Sequence, residues 1–272
     1  MQSQVEHTRW LLDTGKTIKT EDGRDIDVWE FRHEDDENVL SQWANHFRNH
    51  YCTDEEIDFL RNGTGLTRSE YLTEIKFPDS AKPPGPSIRA GDFAEILVSD
   101  YLEYILNYWV PRTRYSDKTI RNESSKGCDI IGFKYVDENE ESLDDTLTIF
   151  EAKAQFTGKK PKTKLQEAIE HSAKDQVRKA ESLNAIKQNF YRTSNLEEAL
   201  KIERFQNKVD NPFKELSGAV ALFSSTVFDE DVISKCNATD HPNLENLELL
   251  VVHGNDMMNL VTELYRRAGD EA

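Results

Sequence analysis

The chain has 272 residues, 37% hydrophobic and 10% aromatic, enough to bury the core of one decorated domain or of a core with a subdomain. Its 34 basic residues stand against 51 acidic ones, a net charge of −17, which argues against free-standing binding to polyanions because Lys and Arg supply non-specific affinity for phosphates. No apolar run approaches the ~18 residues of a membrane helix, the amino terminus has no signal-peptide profile, and Cys52, Cys128 and Cys236 are too few and odd in number for a disulfide framework, so a soluble cytosolic chain with reduced thiols is expected.

Residues 1–80 read as an N-terminal α+β subdomain. Strands are expected around Arg9–Leu12 and Ile26–Phe31, joined near the turn-like Glu21-Asp22-Gly23. Helices follow over Glu37–His50, Asp54–Leu60 and Thr67–Ile75, with Thr53 and Thr67 as caps. Phe77 to Ile88 holds four prolines in twelve residues and reads as an extended connector, because proline fixes its own φ and biases the preceding residue away from helix.

Residues 81–272 read as the main core. Asp92–Tyr108 is a helix that is apolar almost all the way round, hence buried. Strands are expected at Cys128–Phe133 and Thr146–Ala154. A long amphipathic helix over Lys164–Phe190 would bury Leu165, Ile169, Ala173, Val177, Ala180 and Leu183. Helix Leu196–Asn207, strands Ala219–Phe223 and Leu247–Val252, and helix Asp256–Arg267 complete an α/β sheet covered on both faces.

The chemistry concentrates in Gly127-Cys128-Asp129-Ile130-Ile131 and Phe150-Glu151-Ala152-Lys153. Side chains alternate across a strand, so Glu151 and Lys153 share one face and Phe150 and Ala152 the other. Asp129 lies 22 residues earlier, at the start of the preceding strand, where antiparallel pairing would bring it alongside Glu151. Two close carboxylates repel, and a divalent cation such as Mg²⁺ relieves the repulsion. Such an ion can activate water and stabilise a phosphodiester transition state, with Lys153 adding electrostatic help. Glu95 sits among Val98, Leu102 and Leu106 on a buried helix, where a carboxylate is costly unless paired or bound to metal. Against this, a D…E-x-K pattern also arises as exposed cross-strand charge.

Glu95 on a helix, Asp129 opening a strand and Glu151-Ala152-Lys153 in the next strand resemble the PD-(D/E)xK nuclease superfamily, with Cys128 where that family has proline. The resemblance implies a restriction-endonuclease-like core with a mixed central sheet flanked by helices. It also implies Mg²⁺ (or Mn²⁺) held by Asp129, Glu151 and the Ala152 carbonyl, with Glu95 supporting and Lys153 as the catalytic lysine. More closely, Gly91-Asp92-Phe93-Ala94-Glu95, Gly-Cys-Asp and Phe-Glu-Ala-Lys resemble the HamA family, nuclease subunits of Hachiman antiphage systems. That likeness implies a bacterial, cytoplasmic chain that cuts DNA under the control of a helicase partner, HamB. A silent nuclease-like scaffold and a ribonuclease using the same metal site stay open.

The acidity is uneven: residues 153–208 carry thirteen basic and seven acidic residues, a local balance of +6. Lys159, Lys160, Lys162, Lys164, Lys174 and Arg178, with Lys179, are candidate phosphate contacts or simply a solvated helix face. Gln176, on the expected apolar side of the long helix, either supports the site, as a polar residue does in some superfamily members, or is a satisfied core glutamine. The acidic remainder suggests docking on a basic partner face. His46 and His50, spaced i, i+4 with Cys52 beyond, have a zinc-like spacing but lack the H-E-x-x-H pattern and read as structural. No P-loop, G-x-S-x-G or G-x-G-x-x-G occurs, so any ATP-driven step belongs to a partner.

Overall fold

The computed structural model describes residues 5–138 and 140–272. One mixed six-stranded sheet runs in the order β1-β2-β6-β5-β4-β3. β1 (Leu11–Lys19) and β2 (Asp25–Phe31) form an antiparallel pair, and β3 (Ile130–Lys134) lies antiparallel to β4 (Thr146–Gln155) at the other edge. Between them β2, β6 (Leu247–Gly254), β5 (Lys214–Ser224) and β4 are parallel neighbours. This is the restriction-endonuclease-like α/β core expected from the sequence.

The first eighty residues share that sheet, because β2 pairs directly with β6. Their helix α1 (Glu37–Asn49) packs on α8 (Met257–Asp270) near the other end of the chain. α2 (Asp54–Arg61) and α3 (Arg68–Tyr71) open with capping boxes at Thr53 and Thr67, each threonine answered by the glutamate three residues on. The first strand begins later than Arg9, because Glu6–Trp10 winds into a 3₁₀ turn.

Strand pleating sorts the core into two layers. On β5, Val220 and Leu222 join the cluster beneath α1, α8 and α4 (Gly85–Asp100), while Ala219, Ala221 and Phe223 join the cluster beneath α5 (Lys164–Arg192). β4 follows suit: Phe150 and Ala152 pack on the α4 side, and Leu147 and Ile149 on the other. Glu151 and Lys153 therefore project towards α5. α6 (Leu196–Glu203) covers the same layer, and the short α7 (Glu230–Ile233) follows β5.

Two helix expectations need correction. α4 starts at Gly85, not Asp92, so the last part of the proline-rich segment is helical: Pro86 sits in the first turn, where its missing N–H is no loss. Gly85 is required there, since a Cβ would fall 2.2 Å from the Asp79 carbonyl oxygen. On α5 the buried stripe is Leu165, Ala168, Ile169, Ser172, Asp175 and Leu183, while Val177 is 85% exposed. A strict four-residue step drifts ~120° around a helix between residues 165 and 177, which carries Val177 off the inner face. No helix among the described residues is long and apolar enough to cross a membrane.

Candidate active site

β3 and β4 pair with Ile130 opposite Phe150, which sets Asp129 opposite Glu151. Past Phe150, β4 has outrun β3, and Ala152 turns both backbone groups to that open edge. Its N–H donates to Asp129 Oδ2 at 3.4 Å, and its carbonyl accepts from Lys153 Nζ at 3.4 Å. The same Nζ donates to Glu151 Oε1 and lies 3.7 Å from Asp129 Oδ2. One positive charge thus stands among all three oxygen sources that the superfamily resemblance names as ligands.

Arg114, in the segment between α4 and β3, ties the second half of the cluster. Its Nη2 donates to Asp129 Oδ1 at 2.7 Å, and its Nε lies 2.9 Å from Glu95 Oε2. The same guanidinium donates to the carbonyls of Cys128 and Ser125 at 2.6 and 3.1 Å, fixing the loop that leads into Asp129. Tyr115 donates its hydroxyl to Glu95 Oε2 at 2.6 Å. Glu95 therefore reaches Asp129 through Arg114. From α5, His171 Nδ1 stands 3.2 Å from Glu151 Oε1, and Asp175 lies buried one turn further on.

The electrostatics are those of crowded acids. Burial pushes Glu95 up to about 8; Arg114 opposes this, and Asp129 and Asp92 add to it. Burial and then Asp129 push Glu151 up to about 8 against the pull of Lys153. Burial works against the charge of Lys153, but Asp129 and Glu151 outweigh it and raise its amine above the ordinary range. Glu151 Oε2 is buried and accepts no hydrogen bond.

These residues fit a hard divalent cation. The donors are oxygens, one of them is orphaned, and Mg²⁺ asks for only one or two carboxylates alongside water and phosphate. Arg114 bridges Glu95 to Asp129, and Lys153 bridges Asp129 to Glu151. Among the described residues, the one group of three donors mutually within 4.8 Å is instead His7, His46 and Asp100.

That group is occupied by its own hydrogen bonds. His7 and His46 Nε2 meet different oxygens of Asp100 at 2.9 and 2.8 Å, and Arg112 Nη2 donates to it at 2.8 Å. Arg112 Nη1 reaches His50 Nε2 at 2.7 Å, while the Cys52 thiol turns to the Thr53 carbonyl. Burial opposes the Asp100 charge, yet His46, Arg112 and His7 hold its carboxyl well below the usual range. The expected structural role for His46 and His50 matches this arrangement, and Cys52 takes no part in it.

The basic candidates divide. Lys164 and Arg178 line a cleft of ≈ 810 Å³ that contains Glu95, Asp129, Glu151 and Lys153. Lys162 and Lys164 border an adjoining cleft near the start of α4. Lys159, Lys160 and Lys174 are exposed. Gln176 does not face the acids: its Nε2 donates to Glu215 at 2.7 Å, as does Lys179. A step of one residue turns ~100° around a helix, and it is Asp175 that occupies the inner stripe.

Sequence reasoning missed Arg114, Tyr115, His171 and Asp175. Asp175 alone carried a signal, since an acid at that position falls on the buried face once the true helical period is used. Cys128, beside Asp129, is buried and pushed up to about 12, chiefly by burial; Cys52 and Cys236 are each raised to about 11 by the same cause. All three thiols are expected to resist iodoacetamide at pH 8 and to react only after unfolding, which mass spectrometry of alkylated peptides reads directly.

The class that this fold and site define is that of restriction-endonuclease-like α/β proteins carrying a carboxylate–lysine cluster at the open edge of a central strand. Within it, the chain belongs to the HamA family of Hachiman defence components, whose family model matches residues 6–268. A search among curated proteins returns no match.

Proposed function

We propose that the chain is a metal-dependent nuclease of PD-(D/E)xK type, the DNA-cutting effector of a Hachiman complex governed by a HamB-like helicase. The observation that carries this is the Lys153 ammonium, standing within 3.7 Å of the Asp129 carboxylate and 3.4 Å of the Ala152 carbonyl and bonded to Glu151. Oxygens that already converge on one positive charge form a pocket suited to a cation.

Asp129, Glu151 and the Ala152 carbonyl would hold Mg²⁺ or Mn²⁺. When bound, the ion supplies Lewis-acid polarisation of a phosphoryl oxygen. Lys153, displaced but tethered to Glu151, would orient the attacking water or offset charge on the phosphoryl group. Arg114 and Tyr115 keep Glu95 and Asp129 in register. Lys164 and Arg178, lining the same cleft, are the phosphate contacts best placed to hold a strand over the acids.

The test is cleavage of supercoiled and linear DNA, and of RNA, with Mg²⁺ or EDTA, by the chain alone and with its helicase. A folded Glu151→Ala/Lys153→Ala double variant is the control. Metal-dependent cutting lost in the double variant supports the reading; intact DNA and RNA in every wild-type arm sinks it in favour of a scaffold. The net charge of −17 adds a second expectation. The isolated chain should bind duplex DNA weakly, and a salt titration showing tight, shallowly salt-dependent binding would remove the need for a loading partner.

A further inference from the structure

The cleft that holds the acids does not end at them. On one side it joins a second cleft of ≈ 350 Å³, and Arg114, Lys126 and Asp129 line both. On the other it joins a third of ≈ 430 Å³, through the shared residues Ser87, Ala154 and Lys164. The three make one trough, with Glu151 and Lys153 in its middle stretch. The ends differ in kind from the middle. Pro111, Ile120, Ile131 and Ile186 wall the first end, and Pro83, Pro86, Phe156 and Met258 wall the other. Ile120 is 54% exposed, a large apolar side chain left open to solvent in its cleft. Each end also carries a cation that forms no ion pair among the described residues, Lys126 at the first and Lys162 at the second.

Cations alone would suit any phosphate backbone, but apolar walls gain only by covering apolar surface. A duplex hides its base faces in the stack and offers edges and phosphates. An unpaired strand offers base faces and phosphates in alternation along one chain. We infer that the site takes an unpaired DNA strand laid along this trough, with a base seated in each end cleft and the scissile phosphate over the acids. Lys126 and Lys162 hold the phosphates on either side. The inference deepens the nuclease reading and rests on it for what the acids do. It also sets a condition on supply, because the strand has to be parted from its complement before it reaches them.

The experiment is fluorescence anisotropy of the full chain at low salt in EDTA, where metal-dependent cutting is off. Three labelled probes of equal length are compared: an unpaired mixed-sequence DNA strand, its duplex, and a strand whose sugars carry no bases. The unpaired strand should bind at least about tenfold more tightly than either of the others. Ile120→Ser, at an exposed position, should weaken the unpaired strand about threefold, a modest loss of buried apolar area, and leave the base-free strand unchanged. Lys126→Gln and Lys162→Gln should weaken both strands, each lowering the slope of log affinity against log salt by about 0.7. Circular dichroism checks that every variant folds. Equal affinity for the unpaired and base-free strands reduces the contacts to phosphate alone and overturns the inference. A duplex bound as tightly as the single strand overturns it too, and so does a chain that binds none of the probes. None of these readouts depends on turnover. A chain that shows the base-dependent preference and never cuts keeps the trough and loses the nuclease; one that cuts without the preference does the reverse.

Discussion

Arg114→Met is expected to lower the stability of the metal-free protein by about 3–5 kcal/mol, the usual consequence of removing one partner from a buried ion pair. The guanidinium bridges Asp129 and Glu95, and its remaining donors hold the carbonyls of Ser125 and Cys128. Methionine keeps much of the stem volume but leaves two inward-facing carboxylates without their shared counter-charge. Arg114→Lys should lose less, because it restores the charge and not the planar fork. Urea unfolding in EDTA at pH 7.5 measures both. Added Mg²⁺ should recover part of the loss in the methionine variant, because a divalent ion near Asp129 replaces some of the missing positive charge. A cost below about 1 kcal/mol would mean that the two acids tolerate each other without Arg114.

Arg114 also shows where sequence reading stops. Asp129, Glu151 and Lys153 were legible because strand alternation and antiparallel pairing are local rules, and the observed register of Ile130 against Phe150 brings the acids together as those rules require. The other strands and most helices were legible from local periodicity, and Thr53 and Thr67 announced their capping boxes, but β1 runs over Leu11–Lys19 and overlaps the expected Arg9–Leu12 by only two residues. Arg114 has no such rule. It sits in a segment without a regular element, and its importance depends on how that segment folds back between α4 and β3. Gln176 and Asp175 show a different limit: adjacent in sequence, they diverge in role because a small error in helical phase exchanges the inner face for its flank. The start of α4 was hidden by its prolines, which suit a first helical turn as well as they suit an extended connector.

The apo cluster is a set of acids kept compact by two borrowed cations, Arg114 and Lys153, and the consequence is a specific pH dependence. Burial pushes the carboxyls of Glu95 and Glu151 up from an ordinary value of 4.5 to about 8. An acid whose folded pKa is raised destabilises the fold once ionised. As pH falls through 8 the folded chain takes up protons that the unfolded chain does not yet bind, so the metal-free protein should gain stability from pH 9 to pH 6.5, by a few kcal/mol in order of magnitude. Below that window the imidazoles of His7 and His50, held neutral mainly by burial, act in the opposite direction. Mg²⁺ needs the ionised carboxylates, so its stabilisation should follow the reverse course. It should be largest near pH 9, about 2.7 kcal/mol at a hundredfold excess over Kd, and should shrink towards pH 6.5 as protons compete. Melting curves at four pH values, with EDTA or Mg²⁺, separate the two trends, and Glu151→Gln should flatten both. An Mg²⁺ increment independent of pH would place the ion away from these acids. A metal-free melting temperature that falls from pH 9 to 6.5 would show that Arg114 and Lys153 keep both glutamates ionised across the whole window.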